Sequence, residues 1–190
     1  MPINLEIESK SMLEKEEFDS LISAYKNEKK YKQINYYISS KEMLEKVEDF
    51  GLRIRNKNHK FELTLKITEQ VGKREINQEI ARKSLQNLKY FHKFPSGEIS
   101  DFLSENNICD ISKLRIVGKL ITIRKDIEFN GSLISIDKSK YNGKIDYEIE
   151  CESSSKEKSE NDLKNFLEKH HILYKKSEHN KLARFLNTLN

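Results

Sequence analysis

The chain has 190 residues, the length of one domain or of one domain with an elaborated end, and 36% of it is hydrophobic against 35% charged. The net charge is only +4 with both signs mixed along the whole length, which excludes a dedicated nucleic-acid arm, since such an arm segregates its positive charge. Two prolines and six glycines exclude the collagen-like and Pro/Gly-rich disordered classes, and Cys109 and Cys151 make neither a disulfide framework nor a Cys-x-x-Cys metal site. Alternation with period two then recurs along the chain and predicts half-buried strands. The first is INLEIESK (3–10), with Leu5 and Ile7 on one face and Glu6, Glu8 and Lys10 on the other. Ser11 followed by Glu14 reads as a capping box opening a helix to about Lys29, with Phe18, Leu21, Ile22 and Tyr25 as its apolar stripe. KQINYYISS is a second strand, SKEMLEKVED a short helix, and GLRIR and FELTLKIT are strands, the latter with Phe61, Leu63, Leu65 and Ile67 on one face. REINQEI leads as a strand into helical stretches at about 81–91 and 98–106, parted by Pro95-Ser96-Gly97, so that about 80–112 forms a helical insert.

The strands LITIRKDIEF, SLISIDKSKY and KIDYEIECE follow, joined by Asn130-Gly131 and Asn142-Gly143, which are strong hairpin signals between alternating runs. ESSSKEKSE is a polar loop; SENDLKNFLEKHHI and NKLARFLNTL are C-terminal helices over about 159–189. The expected class is α+β and mainly β. About eight strands can close into an antiparallel barrel with helices packed outside, as a single domain over residues 1–190. No apolar leader or membrane-length window is visible, so a cytoplasmic protein with no membrane partner and no nucleic-acid partner is expected. His59, His92, His170, His171 and His179 lack zinc spacing, so a metal here would sit on carboxylates.

The last three strands align by arithmetic. If each Asn-Gly is a two-residue turn, Phe129 pairs with Ser132 and Tyr141 with Lys144, which sets Arg124 opposite Asp137, Asp137 opposite Glu148 and Ser135 opposite Glu150. One face then carries Thr122, Arg124, Asp126, Ser135, Asp137, Glu148 and Glu150; the other carries Ile121, Ile123, Ile127, Phe129, Ile134, Ile136, Tyr147 and Ile149. The split recurs with Arg53 and Arg55 against Leu52 and Ile54, and with Glu62, Thr64 and Lys66 against Phe61, Leu63 and Leu65. A solvated sheet face is the plain reading of any one such strand. Same-face carboxylates ~7 Å apart, close enough to share a divalent ion, and an arginine pair suited to bidentate phosphate recognition argue otherwise for the set. The helices have one apolar stripe each and need the sheet's apolar face as cover, which turns the charged face inward. A lumen of acids and bases must hold water, ions and a strongly charged ligand, because an unpaired buried charge costs several kcal/mol. A polyphosphate bridged to Mg²⁺ or Mn²⁺ fits that lining.

Glu6-Ile-Glu8-Ser-Lys10 resembles the Glu-x-Glu-x-Lys signature of the CYTH proteins, the triphosphate tunnel metalloenzymes, and QINYYIS, LRIR, ELTLK, REINQE, TIRKDI, DYEIECE and NKLAR follow in matching order. The family includes thiamine triphosphatases, inorganic triphosphatases and one class of bacterial adenylate cyclases. The resemblance implies an eight-stranded antiparallel tunnel that takes a triphosphate-containing small molecule with a divalent metal. It implies Glu6, Glu8, Glu148 and Glu150 as metal ligands, with Glu6, Glu8 and Lys10 at the catalytic centre. Lys10, Arg53, Arg55, Lys66 and Arg124 would grip phosphates, and Asp137 would orient Arg124. Glu62 departs from the pattern as an extra acid, and the choice of Glu148/Glu150 over Glu150/Glu152 depends on the length of the turn at Asn142-Gly143. Lys138 falls on the outer face by parity; Arg74 and Glu75 read as a salt-bridged rim; His170 and His171 read as surface; Tyr36, Tyr37 and Tyr147 read as packing residues. The expected function is metal-dependent hydrolysis of inorganic triphosphate, thiamine triphosphate or a nucleoside triphosphate. Its rivals are an adenylate cyclase and a non-catalytic polyphosphate- or nucleotide-binding module.

Overall fold

A computed structural model of the chain describes residues 4–46, 49–177 and 179–189. Ile3 of the first predicted strand and residues 47–48 of the predicted helix SKEMLEKVED lie outside the described residues. The fold is α+β and mainly β. The strands are β1 (Asn4–Glu6), β2 (Glu8–Met12), β3 (Lys30–Ser39), β4 (Phe50–Lys57), β5 (Lys60–Thr68), β6 (Lys73–Ile80), β7 (Arg115–Phe129), β8 (Ser132–Tyr141) and β9 (Lys144–Glu152). The helices are α1 (Lys15–Ala24), α2 (Lys41–Leu44), α3 (Arg82–Phe91), α4 (Glu98–Glu105), α5 (Lys156–Lys169) and α6 (Lys181–Leu186). The hydrogen-bonded order is β1-β6-β5-β4-β3-β7-β8-β9-β2. The ninth strand arises because the first alternating run is two strands, β1 and β2, parted at Ile7. Among the described residues no helix is long and apolar enough to cross a membrane.

The chain divides into two compact units, Met1–Leu5 with Gln33–Leu120 and Glu6–Lys32 with Ile121–Asn190. In the first, β3, β4, β5 and β6 form an antiparallel meander in which Leu52 opposes Leu65, Ile54 opposes Leu63 and Leu65 opposes Ile76. Leu85 and Leu88 of α3 and Ile99 and Leu103 of α4 pack with these residues in one core. Each such side chain contributes about 1.5–3 kcal/mol on burial, so the helices are held by the apolar face they cover. The bend into α4 needs Gly97, whose φ is +129° and where an added Cβ would come within 2.5 Å of the Gln78 side chain. That same Gln78 amide donates to the Ser96 carbonyl at 2.8 Å.

In the second unit, β7, β8, β9 and β2 pair antiparallel in the register that the two-residue turns predict, Phe129 with Ser132 and Tyr141 with Lys144. Ile127, Ile134, Ile136 and Ile149 form a core with Phe18 and Leu21 of α1 and Leu163, Phe166 and Leu167 of α5. Helix α1 starts and stops elsewhere than the sequence suggests. Ser11 is held in the β2–β9 ladder opposite Ile149, so the cap falls to Glu14, whose N–H donates to the Glu17 carboxylate at 2.7 Å. The helix ends at Ala24 rather than near Lys29, because the buried Lys125 ammonium donates to the Tyr25 carbonyl at 2.6 Å, a cation on the negative end of the helix. Helix α5 begins three residues before SENDLKNFLEKHHI, since Ser155 inside the polar run caps it by accepting from the Lys158 N–H at 3.2 Å.

Candidate active site

The face of β7, β8 and β9 opposite the helix-covered isoleucines is ionic and buried. Asp137, Glu148 and Glu150 are 0%, 1% and 8% exposed. The cross-strand register sets Arg124 opposite Asp137, and their contact is bidentate, Nε to Oδ1 at 2.6 Å and a terminal nitrogen to Oδ2 at 2.5 Å. Arg124 also reaches Glu150 at 2.5 Å. From β2, Lys10 lies opposite Glu150 and donates to it at 2.8 Å, with Glu8 also at 2.8 Å. Along the same face Thr122 and Ser139 share a hydroxyl bond at 3.0 Å, while Asp126 accepts from Ser135 at 2.9 Å and from the Tyr31 phenol at 2.6 Å.

Two further cations come from α6. Asn180 caps this short helix by accepting from the Ala183 N–H, and Phe185, fully buried, stacks edge-on to Tyr141 of β8 at 6.0 Å between ring centroids. That seating aims Lys181 at Asp137, Glu148 and Glu150, at 2.7, 2.5 and 2.6 Å. Arg184 bonds Glu148 at 2.6 Å and Asp146 at 2.9 Å. Burial would raise the Glu150 carboxyl, but Lys10, Lys181 and Arg124 outweigh it and hold the group well below the usual carboxylate range. Asp137 is likewise held low against burial by Lys181 and Arg124. Glu148 goes the other way: burial raises it, with the neighbouring Glu150 adding to the rise.

In the first unit the face opposite the leucines and isoleucines carries Arg53 and Arg55 of β4, Thr64 and Lys66 of β5, and Glu75 and Asn77 of β6. Glu75 opposes Lys66 and binds it at 2.6 Å, with Arg53 at 3.7 Å. Burial works against ionisation of Glu75, yet Lys66 and Arg53 hold it down to about 2. Arg55 donates through Nε to its cross-strand partner Asn35 at 3.1 Å. One row across β4, β5 and β6 is unfinished: Arg53 Nε, Thr64 Oγ1 and Asn77 Oδ1 are buried without a hydrogen-bond partner. Such groups cost about 1–3 kcal/mol each.

The CYTH domain model matches residues 4–186. The chain belongs to the CYTH family. It is 35% identical over 187 residues to "Putative triphosphatase YjbK" of Bacillus subtilis (strain 168), covering 97% of this chain and 96% of that one. It is similar to the crystal structure of a "putative adenylate cyclase" from Bacillus halodurans with a TM-score of 0.88 and 33% identity, over 97% of this chain and 99% of that one. The fold is shared more distantly with HpAC1 from Hippeastrum, with a TM-score of 0.79 and 24% identity over 96% of each chain.

Of the residues to which the CYTH signature points, Glu8, Lys10, Arg124, Asp137, Glu148 and Glu150 are drawn into one bonded cluster in the second unit. Glu6 stands half-buried at the end of β1. Among the described residues, the carboxylates converging closely enough for one ion are Asp137, Glu148 and Glu150, whose oxygens lie within 4.8 Å of one another. Hard oxygen donors in that grouping fit Mg²⁺ or Mn²⁺. Arg53, Arg55 and Lys66 share the ionic face of the first unit. The register makes the Asn142-Gly143 turn two residues long and pairs Glu148, not Glu150, with Asp137. Lys138 lies over the Tyr147 ring at 5.6 Å, on the outer side as parity requires. Glu75 is part of the ionic face, whereas Arg74 makes the rim pair, with Glu69 at 2.9 Å. His170 is not simple surface: its Nε2 bonds the Tyr25 hydroxyl at 2.8 Å and its ring packs on Phe166. Tyr37 is buried among the polar positions of β3 by parity, while Tyr36 and Tyr147 pack as expected.

Lys181, Arg184, Tyr31 and Asn77 are the site residues that residue-level reading passes over. Tyr31 keeps parity with Gln33 and Asn35, so extending the alternation of β3 by one step backwards would have found it. Lys181 and Arg184 sit in the NKLAR segment; no local pattern says that a helix there reaches strand carboxylates 31–44 residues earlier.

Proposed function

We propose that this CYTH protein is a metal-dependent triphosphatase that hydrolyses inorganic triphosphate, thiamine triphosphate or a nucleoside triphosphate, acting as a single tunnel domain. The observation that carries the reading is the buried meeting of Asp137, Glu148 and Glu150 on a face shared with Lys10 and Arg124, while the helices cover the opposite, apolar face. A solvated face would not bury three carboxylates. The 35% identity to a protein named as a triphosphatase supports the same substrate class.

In this reading Glu148 and Glu150, with Glu6 and Glu8, hold Mg²⁺ or Mn²⁺, and Asp137, besides orienting Arg124, stands close enough to share the ion. Bound there, the cation supplies Lewis-acid neutralisation of phosphate oxygens. Lys10, Arg53, Arg55, Lys66 and Arg124 grip the phosphates and offset charge that develops as water attacks in line, a reaction in which positioning and electrostatics do most of the catalysis. The unpartnered Arg53 Nε and Thr64 hydroxyl are donors that such a ligand would satisfy.

The test is a phosphate-release screen over inorganic triphosphate, thiamine triphosphate and nucleoside triphosphates with Mg²⁺ or Mn²⁺, with cyclic nucleotide assayed alongside. Orthophosphate released only in the presence of metal is the expected result. Cyclic AMP with pyrophosphate would make the protein a cyclase, the activity in the name of the Bacillus halodurans relative, and metal-dependent binding without release would make it a binding module. Glu6→Ala and Glu8→Ala are expected to abolish turnover with an unchanged circular dichroism spectrum; full activity in both would remove them from the metal site. Arg53→Ala and Lys66→Ala are expected to raise KM more than they lower kcat.

A further inference from the structure

Lys181 is placed as a cation rather than as a surface lysine. Its ammonium bonds one oxygen each of Asp137, Glu148 and Glu150 at 2.5–2.7 Å. Those residues are also the ones whose oxygens converge within 4.8 Å. The nitrogen therefore occupies the point at which a single divalent ion would be ligated by all three carboxylates, Mg²⁺ at about 2.0–2.1 Å and Ca²⁺ at about 2.3–2.6 Å from each oxygen. An ammonium and a divalent ion cannot share that point: three oxygens serve either, and two cations a few Å apart repel strongly where water is excluded. Lys181 also stands at the beginning of a six-residue helix, which Arg184 and the buried Ala183 and Phe185 hold as well, so its withdrawal need not release the whole of α6.

We propose that Lys181 is a built-in competitor for the divalent cation, seated among Asp137, Glu148 and Glu150 when no metal is bound and displaced from them when metal binds. The proposal rests on the reading of these carboxylates as metal ligands, and adds that the chain sets its own metal affinity through α6. Seating keeps the three acids neutralised in the metal-free protein, and the affinity observed for metal is the intrinsic affinity reduced by the fraction of molecules in which the seat is taken. Metal loading and the position of α6 are therefore one equilibrium.

Two measurements test this without recourse to turnover. In the first, Mn²⁺ is titrated into the full chain and into Lys181→Met by calorimetry, with free Mn²⁺ followed by electron paramagnetic resonance. The variant is expected to bind about tenfold more tightly or better, since displacing charge-assisted bonds no longer opposes binding. Equal or weaker binding by a folded Lys181→Met overturns the proposal while leaving the metal site standing. Failure of both proteins to bind Mn²⁺ overturns the metal reading and the proposal with it. In the second, amide hydrogen exchange across 179–187 of the unaltered protein is compared with and without Mn²⁺. Faster exchange with metal is expected, and unchanged or slower exchange overturns the proposal even if Lys181→Met does not fold.

Discussion

Glu148 and Glu150 stand two residues apart on one face of β9, yet their carboxyls are driven in opposite directions. Both are buried, but at Glu150 the charges of Lys10, Lys181 and Arg124 outweigh burial, while at Glu148 burial together with the charge of Glu150 outweighs Lys181, Lys10 and Arg184. The pair thus places one firmly ionised acid beside one that holds its proton to higher pH, a useful arrangement where cations come and go. Breaking this cluster is costly. Asp137→Ala removes the bidentate partner of Arg124 and one of the carboxylates around Lys181, leaving Glu150 as the acid the two cations share, and is expected to lower stability by about 3 kcal/mol in urea unfolding. In the first unit, Glu75 gives an acid signature. Its carboxyl is held down to about 2 from an ordinary value of 4.5, so its contribution is complete above about pH 4.5 and is lost as pH falls towards 2. Glu75→Gln is expected to remove up to about 3 kcal/mol at neutral pH and to flatten the loss of stability between those two values. An equally steep acid loss in the variant would assign it to other groups. At this scale the sequence was legible where partners face each other across a known turn, as Arg124 and Asp137 do, and illegible where a partner arrives from a distant helix, as Lys181 does.

At the scale of elements, the turn at Asn142-Gly143 holds the site in register. Asn142 and Gly143 have φ of 42° and 78°, the left-handed region, where glycine is free of strain. An added Cβ at Gly143 meets nothing within 4 Å, so the cost of Gly143→Ala is purely conformational, about 1 kcal/mol, read as a lower thermal midpoint with no change in activity. Inserting one residue after Gly143 is a different matter. A one-residue slip of β9 would turn Glu148 and Glu150 to the side of Ile149 and is expected to abolish metal binding and turnover together. Strands were readable because period-two alternation survives one odd residue. Helix ends were not, because caps are decided by what the neighbouring backbone is already bonded to: Ser11 was taken by β9, and Ser155 was lost in a run of polar residues.

At the scale of the whole molecule, the legible feature is the division of each strand into a greasy and an ionic side, and which side the helices cover. Composition alone could not give that, but Leu85, Leu88, Leu163 and Phe166 pack on the faces that alternation marks as apolar, and Asp137 and Glu148 are buried on the opposite one. What no strand pattern states is what the ionic faces receive. On the proposed function they receive a triphosphate, and its terminal anhydride bond is cleaved. The measurement that tests it most directly is phosphorus-31 magnetic resonance of inorganic triphosphate incubated with the protein and Mg²⁺, with and without a chelator. The predicted result is equimolar orthophosphate and pyrophosphate, formed by the unaltered chain, suppressed by the chelator and absent with Glu150→Gln. An unchanged triphosphate spectrum, or the same products from Glu150→Gln, would contradict it.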